Sequence, residues 1–84
     1  MKIVVLTNGF VLICKECKVT DKHIQMTTVR CVRRWGTNEG LGQLANGPTQ
    51  ETQLDAVIPV VSAPLHSLVF EFNVQADKWS AYLQ

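Results

Sequence analysis

Two runs rich in β-branched residues, Lys2 to Thr7 and Phe10 to Val19, are joined by Asn8-Gly9. No other feature of the chain narrows the fold as much. Asn-Gly tolerates the positive φ that a two-residue hairpin loop requires, so it predicts an antiparallel hairpin closed by a type I′ turn. Thr20-Asp21-Lys22 predicts a second turn, because a turn Asp accepts a hydrogen bond from its own downstream backbone. His23 to Trp35 then reads as a third strand, and the first 35 residues as a three-stranded meander.

The third strand changes phase. Ile24 and Met26 share one parity, while Val29, Cys31 and Trp35 share the other, which predicts a bulge at Thr27-Thr28 that bends the sheet towards a barrel. On this parity Trp35 is expected to plug the core. Farther along, Thr49 to Leu54 is expected to be extended, and Pro59 restricts Ala56 to Val61 to an edge or a bulge. Leu65 to Val74 alternates, with Leu68, Phe70, Phe72 and Val74 on one face. Ala76, Trp79 and Leu83 recur at helical spacing, which predicts a C-terminal helix near 76–83 lying on the sheet. The expected fold class is mainly β with minor α: a small bent antiparallel sheet or partial barrel of 4–6 strands.

Composition bounds the rest. With 84 residues, 46% apolar and 18% charged, the chain reads as one folded domain, 1–84. Its core is thin at this length, so self-association as a homo-oligomer is expected. The apolar run Ile3 to Leu6 is too short for a membrane span or a signal core, which makes the cytoplasm the expected location. Residues 1–36 carry seven Lys/Arg against two acids and residues 37–84 one Lys against five acids, so the halves hold +5 and −4. Such asymmetry favours a charged partner or head-to-tail self-association, although solvated strand faces would produce it too.

The segment Arg33 to Thr49 holds four of the five glycines. Its Leu41, Leu44 and Ala45 fall on one face of a short helix near 39–46, with Thr37 or Asn38 as the expected cap. Asn46-Gly47 supplies the stop and Pro48 prevents continuation. Arg33-Arg34, the Trp35 ring and backbone amides at a helix start could together hold a phosphate or nucleotide, but no Gly-Lys-Thr/Ser ends the segment as a P-loop requires. The plainer reading is a packed turn whose outward residues alone are available for contact.

Four residues have the chemistry of a tetrahedral zinc site: Cys14, Cys17, His23 and Cys31. On a regular strand, however, Cys14 and Cys17 project to opposite faces. The alternative is that Cys14 and Cys31 are small core residues and Cys17 a half-exposed one. An odd cysteine count fits a reducing compartment. Thioredoxin-like chemistry needs its Cys-x-x-Cys at a helix start, whereas this pair lies in a hairpin. Cys31 with His23 or His66 lacks an orienting group. The basic side chains Lys15, Lys18, Lys22, Arg30, Arg33 and Arg34 could lie along one end of the meander as a nucleic-acid surface, but interleaved exposed aromatics for base stacking are lacking. The acids Glu39, Glu51, Asp55, Glu71 and Asp77 could imitate phosphates, but five scattered acids are also an ordinary surface.

At Trp35-Gly36-Thr37, Gly40-Leu41-Gly42-Gln43-Leu44-Ala45, Gly47-Pro48-Thr49, Leu54-Asp55 and Ala63-Pro64-Leu65-His66, the chain resembles an uncharacterised family of small bacteriophage and prophage proteins. The likeness covers roughly 31–66. It departs where the family has Tyr and this chain has Arg34, and in the Cys14/Cys17 pair. What the resemblance implies is an origin. By analogy with small phage accessory proteins, it suggests a non-enzymatic inhibitor of a host defence protein, working without a cofactor. The expected contact residues are Arg30, Arg33, Arg34, Trp35, Asn38 and Glu39. The alternatives are an oligomeric sponge for a nucleotide or other small anion, and a zinc-stapled or nucleic-acid-binding module.

Overall fold

The computed structural model describes residues 1–84. Strands β1 (Lys2–Leu6), β2 (Val11–Val19) and β3 (His23–Arg34) form the antiparallel meander, followed by β4 (Gln53–Leu54), β5 (Ile58–Pro64) and β6 (Leu68–Asn73). The sheet runs β4-β3-β2-β1-β6, with β5 beside the first half of β3. It is strongly bent and open, not a closed barrel.

The first hairpin forms with a different turn from the expected type I′. Leu6 O accepts from Gly9 N at 2.9 Å, Leu6 N donates to Phe10 O at 3.0 Å, and only Gly9, at φ 88°, is left-handed. That is a three-residue loop with glycine at the bulge position. Asn8 contributes through its side chain instead, its Oδ1 accepting from Phe10 N at 3.1 Å.

The phase change in β3 occurs where the alternation locates it. Ile24, Met26 and Val29 are all buried in one cluster, and Thr28 between them has φ 51°. The β2–β3 register is the same on both sides of the break, so the expected bulge does not form; both strands instead reverse faces together around Lys15 and Thr28. On the other edge of β3, Pro59 falls opposite Thr28, where the β3–β5 pairing is interrupted.

This paired reversal folds the β2–β3 hairpin over itself. Straight, the nine residues of β2 would hold its two end turns about 30 Å apart. Yet Leu65 N donates to Lys22 O in the second turn and Thr7 N, in the first, donates to Ser67 O, each at 2.8 Å. Residues two apart can reach both turns only because the hairpin is bent. The 3-10 turn Leu65–Ser67 therefore carries the chain from the β5 edge to the β6 edge.

Two clusters fill the two faces. Val4, Leu6, Leu12, Cys14, Ile24, Met26, Val29 and Ala63 pack inside the bend. On the outer face, Ile3, Val11, Ile13 and Val32 are covered by Leu44, Trp79 and Leu83. Leu44 comes from a 3-10 helix at Leu41–Asn46, somewhat shorter than the expected 39–46. Trp79 and Leu83 come from α1 (Ala76–Trp79), the 3-10 turn Ser80–Tyr82 and the residue after it, the expected C-terminal helix lying on the sheet. Thr49 to Leu54 is mostly turn and extended only at β4. No helix is long and apolar enough to cross a membrane.

Candidate functional site

The segment from Trp35 to Thr52 is tied at its base by two threonines. Thr49 Oγ1 donates to Gly36 O at 2.6 Å and Thr52 Oγ1 donates to Trp35 O at 2.7 Å. Gly36, at φ 67°, has no room for a side chain, since a Cβ there would overlap the backbone of Glu51 and Thr52. At the far end Thr37 Oγ1 donates to Gly40 O at 2.8 Å, while Gln43 Oε1 accepts from Asn38 N at 3.2 Å and Glu39 N at 2.9 Å. Neither Thr37 nor Asn38 caps the 3-10 helix as expected; a side chain from within that helix satisfies the amides before it.

This closed segment is fastened to the C-terminal layer. Trp79 Nε1 donates to Leu44 O at 2.8 Å, with both residues fully buried, and Gln75 N donates to Ala45 O at 2.9 Å. A shallow polar cleft of about 400 Å³ opens on the segment, lined by Thr37, Asn38, Gln43, Thr49 and Glu51 among others.

Trp35 does not plug the core. It is 42% exposed. The register shifts between Val32 and Arg34 where β3 meets β4, so the alternation that aligned Trp35 with Val29 and Cys31 breaks before reaching it. The fully buried tryptophan is Trp79, on the outer face.

Arg33 and Arg34 are exposed beside Trp35, with side chains 70% and 61% accessible. Arg33 pairs with Asp55 at 2.8 Å, and Arg34 lies 3.8 Å from Glu51. Exposed pairs of this kind add little stability. They do orient the guanidinium groups. Asn38 and Glu39 are exposed at the opposite end of the segment. Arg30 has another role: its Nε donates to Asp55 O at 2.6 Å and its Nη1 to Tyr82 O at 3.2 Å, tying β3 to the C-terminus. Asp55 therefore supports both arginines, a role sequence reasoning missed because nothing in the pattern of a lone acid indicates it. The Thr49/Thr52 clasp was signalled only by the threonine-rich composition there.

The metal candidates are not gathered. Cys14 and Cys17 do share a face, contrary to expectation, because the paired reversal lies between them. His23 is exposed at the start of β3 and Cys31 lies near its end. No group of three potential ligands forms. Burial raises the Cys14 thiol to about 11. Cys17 is raised by burial and then by the Glu71 carboxylate, and Cys31 by burial and then by Asp55. Since the thiolate is the ligand and nucleophile, these environments suppress both chemistries at neutral pH. Cys17 Sγ lies 3.8 Å from Glu71 Oε2, and Glu71 pairs with Lys2 Nζ at 2.6 Å.

The basic residues are divided as well. Lys22 precedes β3, Arg33 and Arg34 end it, and Lys15 and Lys18 project from β2, so no continuous basic end of the meander forms. An apolar cavity of about 380 Å³ lies between the first hairpin and β5, lined by Leu6, Phe10, Leu12, Cys31, Ile58 and Val61 among others. No protein-family model, curated protein or solved structure matches the chain.

Proposed function

We propose that this chain is a non-enzymatic, phage-type binding protein of the host cytoplasm that occupies and inhibits a host protein, in particular one of host defence. Its contact surface is Arg33, Arg34 and Trp35, with Asn38 and Glu39 farther along the same segment and Arg30 bracing it from behind. The observation that carries the reading is a half-exposed Trp, preceded by two exposed arginines at the end of β3, at the start of a segment closed by its own hydrogen bonds. Trp and Arg are the residue types that concentrate binding energy at protein interfaces. A segment already fixed in shape loses little entropy on docking. The complementary partner surface has an apolar pocket for the indole with acidic groups around it. The protein self-associates, as its thin core favours.

The sponge reading has less support, because Gln43 Oε1 already occupies the Asn38 and Glu39 amides that an anion would need. The experiment is capture from lysate of the natural host, comparing the unaltered protein with Arg33→Glu/Arg34→Glu. A specific host protein is expected to be captured by the first and lost by the second, with the circular dichroism spectrum unchanged. Equal capture by both removes the assignment of the surface. A thermal shift with nucleotides, expected to be zero, would favour the sponge if it were large, since ligand at 100 times its dissociation constant adds about 2.7 kcal/mol.

A further inference from the structure

The apolar cavity between the first hairpin and β5 takes no part in the contact surface proposed above. Its volume, about 380 Å³, lies near the lower end of the roughly 300–1,000 Å³ of small-molecule sites. At ~30 Å³ for each water-sized group, it holds on the order of ten non-hydrogen atoms. Leu6, Leu12 and Ala63 of the inner cluster form its base. Phe10 from the hairpin and Ile58 from β5 line it while staying 58% and 41% exposed, so an occupant buries apolar surface that the fold leaves in water. Both walls are fixed. β5 pairs with β3 and β3 with β2, while beyond the end of β5 Thr7 N donates to Ser67 O at 2.8 Å. A cleft held open in this way needs little ordering when a ligand enters.

The two ends of the cleft differ in polarity. Towards Pro64 the polar groups are already engaged: Ser67 Oγ donates to Pro64 O at 2.6 Å, and Asn8 Oδ1 accepts from Phe10 N at 3.1 Å. None of the 12 residues lining the cleft is charged, so a charge placed inside it would lose its water without compensation. In the other direction β3 runs on from Cys31 to Arg33, and Phe10 and Cys31 also line an adjoining cavity of about 300 Å³ that includes Arg33 and Asp55. Arg33 reaches Asp55 through Nη2 alone, at 2.8 Å, whereas a guanidinium has N–H donors on all three nitrogens. Arg30 Nε donates to Asp55 O at 2.6 Å, so two guanidinium groups stand against one carboxylate at this end. The balance there favours an anion.

We propose that the cleft binds a small monocarboxylate with an aliphatic body of about eight carbons, its tail against Leu6, Leu12 and Ala63 and its carboxylate at Arg33. The site lies beyond the proposed partner surface and shares only Arg33 with it. Binding is read on the purified protein, so the result does not depend on a host partner. The probe is octanoate, with octan-1-ol as its uncharged counterpart, followed by calorimetric titration and amide chemical-shift mapping. Octanoate is expected to bind saturably and shift the amides of the first hairpin and of β5. Octan-1-ol should shift the same amides with roughly fivefold weaker affinity, the size of an exposed charge contact. Arg33→Gln should reduce octanoate to the affinity of octan-1-ol and leave octan-1-ol unchanged, whereas a merely structural role for Arg33 would weaken both. Ile58→Trp, which fills the mouth, should weaken both ligands, with circular dichroism as the check on folding. Phe10→Ala removes a wall that is already mostly exposed, so it carries the same expectation if Ile58→Trp does not fold. Absence of saturable octanoate binding, or shifts away from the hairpin and β5, overturns the site. Equal affinity for octanoate and octan-1-ol, or octanoate binding indifferent to Arg33→Gln, overturns the carboxylate end and with it the proposal.

Discussion

All eight buried residues inside the bend come from strands, whereas three of the seven on the outer face, Leu44, Trp79 and Leu83, come from segments outside the sheet. The inner cluster is sealed by the sheet folding over itself. The outer cluster is sealed by a glycine-rich segment and a C-terminal layer that hold each other through the Trp79–Leu44 bond. Trp35 opens the segment whose Leu44 forms part of that seal, and Arg33 and Arg34 precede it at the end of β3, so packing on the outer cluster holds the segment while these three side chains stay exposed.

The largest expected effect breaks that seal. Trp79→Ala should destabilise the protein by about 3–5 kcal/mol in urea unfolding, from lost burial, a cavity and the orphaned Leu44 carbonyl. It should also release the segment around Leu44, whereas Met26→Ala, inside the bend, should lower global stability without loosening that segment selectively. Equal loosening by the two would erase the distinction between the clusters.

Gly36→Ala comes next, at about 3 kcal/mol, because left-handed backbone and overlap with Glu51 and Thr52 act together. Gly42→Ala, whose added carbon meets nothing within 4 Å, is the control and should change stability little. Similar melting temperatures for the two would contradict the close approach at Gly36.

The inner cluster has a signature in alkali. Its Cys14 thiol holds its proton more tightly folded than unfolded, the value rising from 9.0 to about 11. Above pH 9 the unfolded chain releases that proton first, so stability is full below pH 9 and falls as pH rises towards 11. The fall attributable to Cys14 is about 2 kcal/mol, and the pH slope of the melting temperature over that window should flatten in Cys14→Ala. An unchanged slope would place the thiol in a less buried setting. The smallest effect is that of Arg33→Glu/Arg34→Glu on stability, within about 0.5 kcal/mol, since both pairs are exposed. A larger loss in urea would make these arginines part of the fold.

Much of the sheet was legible because it rests on local pattern: the Asn8-Gly9 hairpin, the phase change at Thr27-Thr28, the Pro59 edge and the Trp79 helix on the sheet. What escaped depended on two segments acting together. The shared face of Cys14 and Cys17 arises because β2 and β3 reverse as a pair, and alternation within one strand does not contain that. The exposure of Trp35 escaped for a similar reason, since the register shift against β4 belongs to a partner strand about 20 residues away in sequence. At the candidate surface the residue types could be named from sequence. The Thr49/Thr52 clasp, the Gln43 acceptor and the Asp55 support could not, because each is a contact across a loop.

The claim on which the proposed surface most depends is that the segment from Trp35 to Thr52 is preformed. Native-state hydrogen exchange of the free protein tests it most directly. The account predicts that the Thr49 and Gly47 amides, bonded to Thr52 Oγ1 at 2.8 Å and Leu44 O at 3.1 Å, are protected in the unaltered protein and lose protection in Trp79→Ala. Exchange of both amides at unprotected rates in the unaltered protein would contradict it.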